Sequence, residues 1–206
     1  MELIDKQDAI LILDPYIEGI FQCMKAAISD YQKLSADFKL SMCVTAKAWI
    51  IRQREIFHLK EKYNQEEKDD IKIEVDENGL FIFRIKNVLN LRFNKLSKSY
   101  NISSKTTNRI RAFKNQEELF PGFNQTGVNL VAGYIPDPAW ENFSYYISCP
   151  NGETNSWYME IGTTIPTTIE IHRLSELDLT GTEEEMSNIK IKSDTLKKVN
   201  NEGNLF

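Results

Sequence analysis

The feature that most constrains the fold is a change of hydrophobic period between residues 64 and 70. Before it, apolar side chains recur every three or four positions, the spacing of an amphipathic helix. After it they alternate every second position, the spacing of a strand with one buried face. The connector, Asn64 to Asp70, is wholly polar and mainly acidic. The chain is therefore expected to be α+β: an N-terminal helical hairpin over 1–64, a mainly antiparallel sheet with one packed helix over 71–162, and a loosely ordered tail over 163–206.

Asp14-Pro15 is a helix start with a mechanism, because Asp can cap the free amides and Pro loses nothing at the first helical position. Ile17, Ile20, Phe21, Met24, Ala27, Ile28 and Tyr31 then form one stripe. A second helix is predicted over 36–63, with Phe38, Met42, Thr45, Trp49, Ile56, Leu59 and Tyr63 mostly on one side. Should Trp49 and Phe38 lie on an exposed stripe, association through this hairpin into a homo-oligomer is expected.

Ile71, Ile73 and Val75, a turn at Asp76-Glu77-Asn78-Gly79, and Phe81, Phe83 and Ile85 read as a β-hairpin. A third strand spans 88–96. Ser103 or Ser104 is expected to cap a helix over 104–118 with a Thr107, Ile110 and Phe113 stripe, ended by Pro121-Gly122. Residues 128–135 read as a strand, and 143–149 with 156–161 as a hairpin through Pro150-Asn151-Gly152. The aromatic residues of these last strands are expected in the core, Trp140 being the least determined.

Charge is distributed unevenly. The whole chain has 25 Lys and Arg against 30 Asp and Glu, a net charge of −5. From Gly79 to Asn115, however, nine basic residues occur without one carboxylate: Arg84, Lys86, Arg92, Lys95, Lys98, Lys105, Arg109, Arg111 and Lys114. Strand alternation puts Arg84 and Lys86 opposite Phe83 and Ile85, and Arg92 and Asn94 opposite Leu91 and Phe93. With Lys105, Arg109, Arg111 and Lys114 on the following helix, these residues are expected to form an outward cationic face. Such a face attracts an acidic protein surface or a phosphate backbone. The acidic balance elsewhere argues against coating nucleic acid with the whole surface, and exposed ion pairing within the molecule would leave the face as solvated surface.

Little else points to chemistry. No GxxxxGK[ST] or GxGxxG loop occurs, so no nucleotide cofactor is expected. His58 and His172 are far apart, and neither accompanies a serine or cysteine in a nucleophile motif. Cys23, Cys43 and Cys149 form no metal-type spacing and read as reduced thiols, consistent with a cytoplasmic setting. Residues 1–20 fit neither a signal nor a transit peptide, and no stretch has the ~20 apolar residues of a membrane span. No catalytic or metal-binding residue is assigned, although a metal-free nuclease using Glu153, Tyr158 or Glu160 as base remains a minor alternative.

Leu91-Arg92-Phe93-Asn94-Lys95-Leu96, Asn101-Ile102-Ser103-Ser104-Lys105-Thr106, Phe113-Lys114-Asn115-Gln116, Leu119-Phe120-Pro121-Gly122 and Gly133-Tyr134 together carry a resemblance. Over about residues 80–162 the chain resembles a group of uncharacterised bacterial proteins whose genes neighbour helix-turn-helix regulators and metallopeptidases of toxin-antitoxin or phage-defence type. The resemblance implies a setting and no reaction. The resulting expectation is a non-enzymatic accessory or antitoxin-like subunit binding an acidic partner protein through the basic strand-helix face, the alternative being a nucleic-acid-binding toxin or regulator using the same face.

Overall fold

The computed structural model describes residues 3–63, 70–75, 79–117 and 127–162. The connector at 64–69, the turn residues 76–78, the end of the expected helix beyond residue 117 and the tail over 163–206, with His172, lie outside the described residues.

Helix α1 runs Lys6–Gln32 and starts earlier than its Asp14-Pro15 pair suggests. Asp5 caps it, accepting from the Gln7 amide at 3.0 Å, and Pro15 sits inside the helix. Proline there leaves one carbonyl of the preceding turn without its amide. Burial of Ala9, Leu13, Tyr16 and Ile20 on both sides of Pro15 outweighs that loss.

The expected second helix is divided at Met42 and Cys43 into α2, Ala36–Ser41, and α3, Val44–Tyr63. Ser35 caps α2 through the Phe38 amide. The inward stripe of α3 is Ile51, Glu55, Leu59 and Tyr63, while Phe38 and Trp49 stand 52% and 60% exposed. The expected stripe is thus divided, its Leu59 and Tyr63 turning inward and its Phe38 and Trp49 outward. Asp30 on α1 meets Arg54 and His58 on α3, and Tyr63 donates to the Tyr16 carbonyl, so the two long helices are antiparallel.

The strands are β1 Ile71–Val75, β2 Phe81–Ile85, β3 Leu89–Lys95, β4 Val128–Pro136, β5 Phe143–Asn151 and β6 Thr154–Ile161, in spatial order β1-β2-β3-β4-β5-β6. Every neighbouring pair is antiparallel except β3 and β4, which are parallel. A parallel pair needs a crossover, and α4, Asn108–Lys114, lies within it. Thr107, rather than Ser103 or Ser104, caps α4 through the Ile110 amide.

Alternation sends Phe81, Phe83, Ile85, Leu89, Leu91, Phe93, Leu130 and Ile147 to one face, where they pack with Leu13, Ile20, Met24 and Leu59 of the long helices. Ile82, Leu96 and Val131 turn to the other face against Ile110 and Phe113 of α4. The helical hairpin and the sheet therefore share one core across the connector at 64–69. Both faces of the central strands are covered, so β2 is buried along its whole length.

Candidate interaction face

The residues expected on one cationic face fall into two groups. The first group is buried. Arg84 is 5% exposed, and its guanidinium donates to Asn90 Oδ1 at 3.0 Å and to Glu74 Oε2 at 3.1 Å. Arg92 is 8% exposed, donates to Asn94 Oδ1 at 3.0 Å and lies 5.8 Å from the Phe113 ring centroid. Lys114 is buried and donates to Glu153 Oε2 at 2.8 Å. The expected outward presentation of Arg84 and Arg92 is corrected accordingly: period-two alternation does point them away from the Phe83 side, but α4 covers the side they reach. A charge in such a layer must be paired and hydrogen-bonded.

These side chains belong to a polar network beneath α4. Asn90 Nδ2 donates to Asn129 Oδ1 at 3.2 Å, and Asn129 Nδ2 donates to the Phe113 carbonyl at 3.1 Å. Gln116, held at φ 59, accepts from the Asn129 amide at 2.7 Å and donates to the Pro150 carbonyl at 2.8 Å. Asn101 donates to the Glu153 carbonyl, and Ser148 to the Tyr100 carbonyl. The network ties helix, crossover loop and the β5–β6 turn together. Replacing Asn129 by Ala takes one of two donors from the Phe113 carbonyl, which keeps the Gln116 amide at 3.2 Å, and one of two acceptors from Asn90 Nδ2, so a loss of about 1 kcal/mol in urea unfolding is expected.

The second group faces solvent or the border of the layer. Lys86 is exposed in the β2–β3 turn rather than on a strand, at φ 50 beside Asn87 at φ 55, with its ammonium 3.9 Å from Asp70. Lys95, half-buried at the end of β3, donates to Ser103 Oγ at 3.0 Å, and burial lowers its pKa. Lys98, Lys105 and Arg111 are exposed, and Arg109 is half-buried. Among the described residues no carboxylate lies within ion-pair distance of Lys98, Lys105 or Arg111. Of the nine expected cations, Lys98, Lys105 and Arg111 thus point outward from the crossover and Lys86 from the β2–β3 turn, while Arg84 and Arg92 on the strands are buried.

Aromatic residues flank this loop. Tyr100, at φ 61, stacks on Tyr158 with ring centroids 3.8 Å apart and meets Tyr146 edge-on, while Tyr158 is 46% exposed. Tyr134 is in the core as expected, and Trp140 is half-buried against Tyr31 and Phe143.

Two features were not anticipated from the sequence. Asp30 gathers Arg54 at 2.6 Å, His58 at 2.8 Å and Lys33 at 3.3 Å. Burial alone would raise this carboxyl, but hydrogen bonds from His58, Arg54 and Lys33 outweigh it and hold it at about 2. Glu55 is fully buried, with neither carboxylate oxygen hydrogen-bonded among the described residues. The signal for it was present, since Glu55 falls midway in the four-residue repeat Ile51, Glu55, Leu59, Tyr63. Among the described residues no group of three His, Cys, Asp or Glu side chains is placed to hold a metal ion, and no helix is long and apolar enough to cross a membrane.

Compared with family models, curated proteins and solved structures, the chain matches none.

Proposed function

We propose that this protein is a non-enzymatic interaction subunit that receives an acidic partner protein on the crossover segment from Lys95 to Arg111. The observation supporting the reading is that Lys98, Lys105 and Arg111 are exposed with no carboxylate at ion-pair distance among the described residues. Their charge is available to an incoming anionic surface, where it speeds encounter and selects the partner. The polar network beneath α4 supports the crossover that carries them. An accessory or antitoxin-like role in a toxin-antitoxin or phage-defence setting is part of the proposal and rests on the resemblance over residues 80–162.

A second reading, nucleic-acid binding through the same segment, draws on the exposed Tyr158 ring stacked against Tyr100, two residues from Lys98. Aromatic faces beside cations suit stacked bases.

Fluorescence anisotropy across a salt series separates the two. The probes are a labelled Glu/Asp-rich peptide and labelled single- and double-stranded DNA and RNA, and the variant is a Lys98→Glu, Lys105→Glu, Arg111→Glu triple. The first reading expects peptide binding at low salt that the triple variant abolishes. Tight, salt-sensitive oligonucleotide binding lost in the same variant would instead make nucleic acid the partner. Binding of neither probe by the wild type at low salt would remove the segment as a site.

A further inference from the structure

We infer that the outer face of the helical layer is a two-fold interface with a second copy of this chain, in which the N-terminal half of α1 in each copy lies on the α2–α3 end of the other. Six of the nine large apolar side chains exposed among the described residues lie on this layer: Leu11, Phe38, Leu40, Val44, Trp49 and Phe57. Leu40 is 81% exposed, and α2 buries none of its side chains. Concentrated exposure of this kind marks an association surface, whereas singly scattered apolar residues do not.

Charge identifies the occupant. Between Lys33 and Trp49 the cations are Lys33, Lys39 and Lys47, and Asp37 is the one carboxylate. Asp30 pairs with Lys33 and with Arg54, which also stacks 4.3 Å over the Phe57 ring. The positive character therefore rests on Lys39 and on Lys47, the latter 5.5 Å over the Trp140 ring, neither with a carboxylate at ion-pair distance among the described residues. The exposed strip of α1 has the opposite sign: Asp8, Asp14 and Glu18 surround Leu11 at three- and four-residue steps, and all four are exposed. Two Trp49 ends brought together would oppose lysine to lysine. A Trp49 end placed on a Leu11 strip opposes lysine to carboxylate and covers both apolar patches.

The fold permits this pairing twice over. Because α1 and α3 are antiparallel, the Trp49 end lies beside the C-terminal end of α1, and Leu11 lies at the far end of the layer. A two-fold axis running across the helices sets each Leu11 strip over the partner's Trp49 end, the same contact made reciprocally. This face is on the opposite side of the sheet from the Lys95 to Arg111 crossover, so the inference stands apart from the function proposed above.

Sedimentation equilibrium on the full chain over a concentration series tests it, with two charge-swapped variants confirmed folded by circular dichroism. One variant is Asp14→Lys with Glu18→Lys, and the other is Lys39→Glu with Lys47→Glu. The wild type is expected to move from 23.9 kDa towards twice that mass. Each variant alone should dissociate about tenfold more readily or worse, since both of its contacts become repulsive. An equimolar mixture of the two should regain the wild-type association, because every contact between them is again complementary. A wild type that stays monomeric throughout, a dimer indifferent to both swaps, or a mixture no tighter than its components would overturn the inference. So would a monomeric wild type that instead co-sediments with phosphatidylglycerol vesicles, which would assign the face to lipid.

Discussion

Glu55→Met is expected to stabilise the protein at neutral and mildly alkaline pH and to remove a pH dependence that the wild type shows. Glu55 is fully buried among Ile51, Leu59 and the tyrosines at the α3–sheet boundary, and no described group hydrogen-bonds its carboxylate. Burial pushes its pKa up from 4.5 to about 8, with Arg52 pulling the other way. The same enclosure raises the Tyr134 hydroxyl, and it pushes Tyr145 up to about 12, the Glu55 charge adding to burial in both.

The sign of the effect follows from proton binding. Between the unfolded value and about 8, the folded protein holds a proton on Glu55 that the unfolded chain has released. Stability is therefore greatest below the unfolded pKa and falls as pH rises, by about 1.4 kcal/mol per pH unit at most. Above about 8 both states are ionised, and the slope ends. The whole window amounts to a loss on the order of 5 kcal/mol. Methionine fills a similar volume and does not titrate, so the gap between variant and wild type should widen from about pH 5 to about pH 8 and then level off. Glu55→Gln should lose the slope but gain less stability, because its amide remains without a partner. Urea midpoints across that range decide it, and parallel curves for wild type and Glu55→Met would show that Glu55 is solvated. Asp30 acts on the acid side: its lowered carboxyl contributes stability above the unfolded pKa that is lost as pH falls towards about 2.

Gly133→Ala is expected to be the most damaging single-methyl addition in the sheet. Gly133 pairs with Asn94 across the parallel β3–β4 ladder, where a Cβ would run into the Asn94 carbonyl oxygen and come within 2.7 Å of Leu96 Cγ. The obstructing atom is backbone, so relief requires opening the ladder. That ladder is the one joint between β1-β2-β3 and β4-β5-β6. Overpacking usually costs about 1–3 kcal/mol, and at this position about 3 kcal/mol or more is expected, roughly a 10 °C fall in Tm. Gly79→Ala is the control: Gly79 has φ 73 but no neighbour within 4 Å of a Cβ. It should lose only about 1 kcal/mol, from the left-handed backbone alone. Equal melting of the two variants would mean that β3 and β4 part easily at Gly133.

Much of the fold was legible because it rests on local periodicity. The helix-to-strand switch, the β1–β2 hairpin and the β5–β6 hairpin all follow from spacing and turn residues. The start of α1 was not, because an Asp-Pro pair that would begin an isolated helix is overridden when Leu13 and Tyr16 are buried on a sheet. The stripe expected on the second helix does not stay on one side: its Leu59 and Tyr63 face the sheet with Ile51 and Glu55, whereas its Phe38 and Trp49 are exposed, because the break at Met42 and Cys43 and the packing of α3 are settled by tertiary contacts.

The candidate site divides along the same line. The sequence by itself determined that residues 79–115 are basic and free of acid, and that Arg84 and Arg92 point away from Phe83 and Phe93, since charge and alternation are properties of neighbouring residues. Only the tertiary structure decided which of those charges meet solvent. Residues distant in sequence, Glu74, Asn129 and Glu153, converge on Arg84, Asn90 and Lys114 once α4 closes over β2 and β3. A desolvated cation persists only where such partners are brought to it, and beside that buried set Lys98, Lys105 and Arg111 stay exposed with no carboxylate at ion-pair distance among the described residues.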